Sequence, residues 1–258
     1  MESSPLENPQ KPMNLPRFLL ALLLKPRQAF TQLDQTGKPH FLWAAAAMIL
    51  VIWAAAIVTL PITRREAVEG YDAMMQQTGD SFSEQQRAVM EQSREFSTNP
   101  AFLVASSGIV ETIGYPILLL SAAGVLYLLS LAFGGQARFP SVLSMSVWAT
   151  VAGLLSKITL TIGTLASGST VQPGLAFLAG VKDVSAITPG AAALVPILSR
   201  ITIFEIWYLV LIGIGIGVCA RVTRAKSAII TILYWLISLI PPVAMAAVSA
   251  LIASATLG

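Results

Sequence analysis

The sequence predicts an all-α polytopic membrane protein with five transmembrane helices, an N-terminal interfacial helix and an outer helical loop. Three observations predict it. Five apolar runs of about 20 residues or more are separated by polar breaks. Only 11% of the 258 residues are charged, against about 25% in a soluble domain. A surface so poor in charge could not be solvated by water. Third, the basic residues are distributed unevenly between the two sets of segments that alternate with the runs.

The chain begins with a polar, Pro-rich stretch at residues 1–13, and residues 1–16 are expected to form a disordered cytosolic tail. Residues 17–40 form an amphipathic interfacial segment. Within it, "RFLLALLLKPRQAF" has only seven consecutive apolar residues, Phe18 to Leu24. As helix these rise about 10 Å, too little to cross a bilayer. Arg17, Lys25 and two prolines fence the run, and no small-residue cleavage site follows, so it is not a signal peptide. Pro26 suits a first helical turn, and Ala29, Phe30 and Leu33 then share one face. A short helix with basic flanks is expected to lie in the membrane interface.

The membrane domain covers residues 41–258, with spans at about 41–62, 107–133, 141–165, 195–220 and 227–256. The first, "FLWAAAAMILVIWAAAIVTLPI", holds no charge. The unambiguous part of the second is "GYPILLLSAAGVLYLLSLAF". Between them, residues 63–99 read as an outer helical hairpin. "SEQQ" at residues 83–86 has capping-box spacing. Phe82, Val89 and Phe96 recur every seven residues, and Val68, Tyr71 and Met75 repeat at helical spacing. The hairpin is either a partner-binding face or a loop packed on its own protein.

Basic residues are enriched in cytoplasmic segments. With the N-terminus inside, nine cations lie inside (Lys11, Arg17, Lys25, Arg27, Lys38, Arg138, Arg221, Arg224, Lys226). Five lie outside (Arg64, Arg65, Arg87, Arg94, Lys182). Five spans then put the uncharged C-terminus outside. The Gly134-Gly135 bend with Arg138 is an inside turn between spans two and three.

Few motifs bear on chemistry. The single cysteine, Cys219, excludes an internal disulfide and a Cys-based zinc cluster. Gly215-x-Gly217-x-x-Ala220 formally matches a dinucleotide fingerprint, but it lies inside a span with no preceding strand. Gly213-x-x-x-Gly217 instead allows close helix packing in lipid. His40 is alone at a span entrance. No Ser-His-Asp set, His-x-x-x-His pair or phosphate loop occurs, so no enzyme, metal or cofactor is expected. A net charge of +3 is too small to suggest nucleic acid. The expected partners are the lipid bilayer and other membrane proteins or a second copy.

Four charges interrupt the apolar runs: Glu111, Lys157, Arg200 and Glu205. On insertion scales an Arg, Lys or Asp at the helix centre costs about 2.5–3.5 kcal/mol. Arg200 and Glu205 are five residues apart, about 140° around one helix, and are expected to meet charges on other spans rather than each other. The four either form interhelical ion pairs that fix the bundle or line an outward-open polar vestibule. Pro116, Pro241 and Pro242 are expected to kink spans two and five.

"LLLKPRQAFTQL" (residues 22–33) resembles the pre-membrane segment of bacterial Yip-type proteins, the Ypt/Rab-interacting-protein family. "FGGQARFPSVLSMSVWATVAGLL" is similar to that family's Gly-Gly turn and following span. "FEIWYLVLIGIGIGVCARVTRAKSAIITILYWLI" is similar to its closing pair of spans, and the outer loop with "SEQQRAVMEQ" also fits. The resemblance covers roughly residues 17–240. It implies five helices, a cytosolic N-terminus and an outward C-terminus in a bacterial inner membrane. Eukaryotic relatives are linked to small-GTPase-dependent vesicle traffic, through a long acidic or aromatic N-terminal domain with no counterpart here. The Gly213-x-x-x-Gly217 seam, the lateral apolar surface and the absent catalytic set point to a non-enzymatic scaffold or accessory subunit, binding other membrane proteins or shaping lipid. The alternatives are a transporter, channel or lipid scramblase using the four charges, and, less supported by the residues, a membrane-embedded hydrolase.

Overall fold

A computed structural model describes residues 14–36, 41–78, 83–175 and 189–257. Among the described residues all regular structure is helical. In lipid this follows from the backbone, because a helix satisfies its own N–H and C=O groups.

The expected interfacial segment forms two helices rather than one, and the first begins at Leu15, inside the expected tail. α1 spans Leu15–Leu24 and α2 spans Pro26–Thr36. The break falls at Lys25, whose N–H donates back to the Ala21 carbonyl at 2.6 Å. Pro26 cannot continue that hydrogen-bond pattern and opens α2 instead. Ala29, Phe30 and Leu33 do share a face, and it is buried. That face packs against the protein, chiefly against α9, defined below. Phe18 and Leu22 of α1 join the same core, with the Phe18 ring edge-on to Trp148 at 4.7 Å. Amphipathicity located the apolar face; tertiary packing, not lipid, covers it. His40 and most of the expected tail lie outside the described residues.

α3 (Phe41–Thr78) is a single 38-residue helix. At 1.5 Å per residue it is about 57 Å long, nearly twice a hydrocarbon core of about 30 Å. Its second half therefore projects beyond the apolar slab. α4 (Glu84–Ser97) turns back on it, held by an Arg94–Asp72 ion pair at 2.9 Å and by Arg94 over the Tyr71 ring. Val89 and Phe96 are 60% and 63% exposed, so their seven-residue spacing marks an outward face rather than a core seam.

α5 (Pro100–Ala132) begins earlier than the apolar run does. The Asn99 side chain accepts hydrogen bonds from the Ala101 and Phe102 N–H groups at 2.9 and 3.3 Å, and Pro100 occupies the first position. That is an N-cap followed by the proline a first turn tolerates.

α6 (Phe139–Ala149) and α7 (Val151–Ser167) are one run interrupted at Thr150. α6 is the most enclosed element, with Val142 and residues 145–149 buried. α8 spans Pro189–Ser199, α9 Ile203–Cys219 and α10 Arg224–Leu257. Among the described residues four stretches are long and apolar enough to cross a membrane: Leu42–Ala73, Pro100–Ala132, Phe139–Ser167 and Arg224–Ser249. The fourth expected span, 195–220, is instead divided. α9 has 17 residues, about 26 Å, and α8 is set off from it at residues 200–202.

Two turns knit one end of the bundle. The Gln136 N–H donates to the Ala220 carbonyl at 2.9 Å, and Lys226 Nζ donates to the Phe133 carbonyl at 2.8 Å. Gly134 takes a positive φ of 77°. Gly135 is needed for closeness: a Cβ there would meet the Ser130 carbonyl oxygen at 2.8 Å and Ala220 at 3.1 Å. At the opposite end the Thr170 N–H and hydroxyl donate to the Glu66 carboxylate, and Arg65 donates to the Gly168 carbonyl.

The exposed apolar residues point outward along the long helices: Leu50, Val110 and Leu118 are each more than two thirds exposed. Such a surface requires a lipid solvent. Gly135→Leu should lower stability by about 1–3 kcal/mol through overpacking. Gly114→Ala, where a Cβ meets nothing within 4 Å, should not lower it. Thermal unfolding in detergent, followed by circular dichroism, compares the two.

Candidate functional site

The four charged residues form two separate pairs. Lys157 Nζ on α7 donates to both carboxylate oxygens of Glu111 on α5, at 2.7 and 2.8 Å. Arg200 Nη2 lies 3.4 Å from Glu205 Oε1. Among the described residues no ion pair or hydrogen bond joins one pair to the other.

The second pair overturns the expectation that Arg200 and Glu205 stay apart. An angle of about 140° holds only around one continuous helix, and the chain does not form one here. α8 ends at Ser199, and the Arg200 and Ile201 N–H groups close tight turns onto Ile197 and Leu198. Thr202 then caps α9, its hydroxyl accepting from the Glu205 N–H at 2.9 Å. A cation just past one helix C-terminus and a carboxylate in the next first turn both suit the helix dipoles. Arg200 Nη1 also donates to the Ser238 carbonyl and hydroxyl on α10, at 3.0 and 2.9 Å. Glu205 Oε1 is buried and makes no hydrogen bond of good geometry. The ion pair is its electrostatic partner.

Sequence reading missed the neutral polar residues around these pairs. On α5, the Thr112 hydroxyl accepts from the Trp53 indole of α3 at 3.1 Å. The Tyr115 hydroxyl meets the Thr150 hydroxyl at 2.7 Å. Gly108 lies against the Trp53 ring, where a Cβ would come within 2.9 Å. Residues 108, 111, 112 and 115 thus make one polar and small stripe at helical spacing, readable in the sequence as G-x-x-E-T-x-x-Y. On α9 and α10, Tyr208 and Tyr234 share a hydroxyl–hydroxyl bond of 2.8 Å. Each is an interhelical polar contact, the kind that joins helices where lipid gives no hydrophobic drive between them.

Gly213 and Gly217 face α10. A Cβ on Gly213 would meet the Thr231 hydroxyl at 3.3 Å, and one on Gly217 would meet Ser227 at 3.6 Å. The Ser227 hydroxyl donates to the Gly213 carbonyl. Gly215, between them, faces the other way, toward Met145 and Phe30. α9 is therefore approached closely on two sides. Pro116 lies within α5, and Pro241 and Pro242 lie within α10; both helices continue on either side. Pro61 and Pro196 are likewise inside helices α3 and α8.

Among the described residues no group of three or more His, Cys, Asp or Glu side chains could hold a metal. Cys219 is buried. The arrangement can neutralise charge inside an apolar slab and fix helix register. These features define a polytopic helical membrane protein. The chain matches the Yip1 domain over residues 20–245 and belongs to that family. No curated protein and no solved structure matches it.

Removing one member of the Glu111–Lys157 pair leaves the other charge unmatched in hydrocarbon. Lys157→Met alone, or Glu111→Gln alone, should cost about 2–4 kcal/mol. The double substitution should cost less than either single one. Unfolding of the three variants in mild detergent measures this. Thr202→Val should cost about 1 kcal/mol by loss of the cap.

Proposed function

We propose that the protein is an integral membrane scaffold or accessory subunit, which binds other membrane proteins or a second copy of itself and organises the surrounding lipid. It crosses the membrane five times, with the N-terminus in the cytoplasm and the C-terminus outside. The membrane of this reading is a bacterial inner membrane, in keeping with the resemblance of residues 22–33 and 133–155 to bacterial Yip-type chains.

One observation carries the reading. The charges inside the apolar helices neutralise each other in pairs, and the hydroxyls and the Trp53 indole around them are engaged with each other. A path for ions or headgroups needs polar groups turned toward a passage. Here they are turned toward one another, as a rigid bundle requires. The faces left for contact are apolar flanks and the outward side of α4, with Val89 and Phe96 exposed.

Affinity purification of the tagged full chain from native membranes in mild detergent should yield a defined stoichiometric complex or a stable oligomer. Recovery of the chain alone at every detergent strength contradicts the reading. In liposomes, the wild-type chain should pass ions, protons and labelled phospholipid no faster than protein-free vesicles do. Flux that is lost in Lys157→Met and Glu205→Gln would replace the scaffold with a transporter, channel or scramblase.

A further inference from the structure

A groove of about 1310 Å³ opens between α2, α9 and α10, at the end of the bundle where residues 133–138 and 220–223 turn. It exceeds the range of about 300–1,000 Å³ usual for small-ligand pockets. Its wall changes character along its length. Lys25, Arg27, Arg221 and Arg224 line one part, and no Asp or Glu lines any part. Among the described residues none of these four cations has an ion-pair partner. The first residues of α2 and α10, Pro26 and Arg224, are in the same wall, so two positive helix ends contribute there. The rest is apolar. Val210, Ile214 and Val218 repeat every fourth residue down one face of α9, and Gly213 and Gly217 keep the wall low beside them.

We infer that this groove binds one anionic phospholipid, its phosphate among Lys25, Arg27, Arg221 and Arg224 and one acyl chain along Val210, Ile214 and Val218. The dimensions agree. From Val210 to the end of α9 at Cys219 is about 14 Å of helix, with Arg221 in the turn just beyond it, close to half of a hydrocarbon core of about 30 Å, which is one leaflet. Unpaired cations at the headgroup level beside an apolar strip match both halves of such a lipid. Basic pockets between membrane helices are the usual receptors for anionic headgroups. A free phosphate or an acidic peptide would use the cations and leave the strip bare. The inference needs only that α9 and α10 cross the membrane; it does not depend on the scaffold reading.

The test is native mass spectrometry of the full-length chain in mild detergent. The chain is offered phosphatidylglycerol and phosphatidylcholine with identical acyl chains. The wild-type protein should retain phosphatidylglycerol and not phosphatidylcholine. Arg27→Gln with Arg224→Gln should weaken retention about thirtyfold, while the charge-matched Arg17→Gln with Arg138→Gln should change it by less than about twofold. Val210→Trp fills the strip without altering charge, and it should also release the lipid. Size-exclusion profiles and helical content identify any variant that misfolds. Equal retention of both lipids would overturn the inference, as would equal losses in the two double variants. Displacement by millimolar inorganic phosphate, with Val210→Trp inert, would make this an anion site and also overturn it.

Discussion

An unpaired polar group in hydrocarbon has no water to turn to, and that constraint shapes the interhelical contacts of this molecule. Lys157 and Glu111 are tolerable on α7 and α5 because each is the other's solvent. Arg200 and Glu205 are tolerable because the helix stops between them and lets them meet. Three interhelical hydroxyl contacts follow the same rule, whereas Ser144, Ser146, Trp148 and Trp235 bury a polar side-chain atom without a hydrogen-bond partner. Thr112 takes the Trp53 indole, Tyr115 takes Thr150, and Tyr208 takes Tyr234. Since lipid does not squeeze apolar helices together, these contacts and the close approach at Gly213 and Gly217 are what set the order and register of the bundle.

The helix breaks obey the same constraint. An interruption at membrane depth frees backbone groups that must find new partners. At Thr150 the N–H reaches back to the Ser146 and Val147 carbonyls, and the hydroxyl reaches Val147 as well. At residues 200–202 tight turns and the Thr202 cap do the work. At the turn end, the Gln136–Ala220 bond ties the loop after α5 to the loop after α9, and α2 seals the core beside them. The groove between α2, α9 and α10 exists because α2 is anchored by Phe30 and Ala29 and turns its basic start, Lys25 and Arg27, toward the loop that carries Arg221.

Much of this was legible in the sequence, and the remainder has physical reasons for being hidden. Apolar runs and their polar breaks locate helices because the bilayer demands length and continuity. The face shared by Ala29, Phe30 and Leu33 was legible from periodicity, but periodicity cannot say whether lipid or protein covers a face. The start of α5 was written in Asn99-Pro100, outside the apolar run. The break before α9 was written in Thr202-x-x-Glu205, a capping-box spacing inside an otherwise apolar stretch. Hydropathy averages over both signals. The pairing of Glu111 with Lys157 was not legible, since nothing local to either residue names a partner 46 positions away.

The proposed topology rests on α9 completing a fifth crossing. At 17 residues it is shorter than the four stretches long enough to cross, and the chain enters it through a break. Its two ends lie at opposite ends of the bundle: Cys219 is beside Ser141 at the turn end, and Ser199, just before the break, adjoins Gly174 in the loop after α7. The most direct measurement is the compartment of tags placed at the two termini, read by protease protection in sealed membrane vesicles of known orientation. Five crossings predict tags on opposite sides, the N-terminal one in the cytoplasm. Tags in the same compartment would mean an even number of crossings, and the account of α9 and of the groove beside it would be wrong.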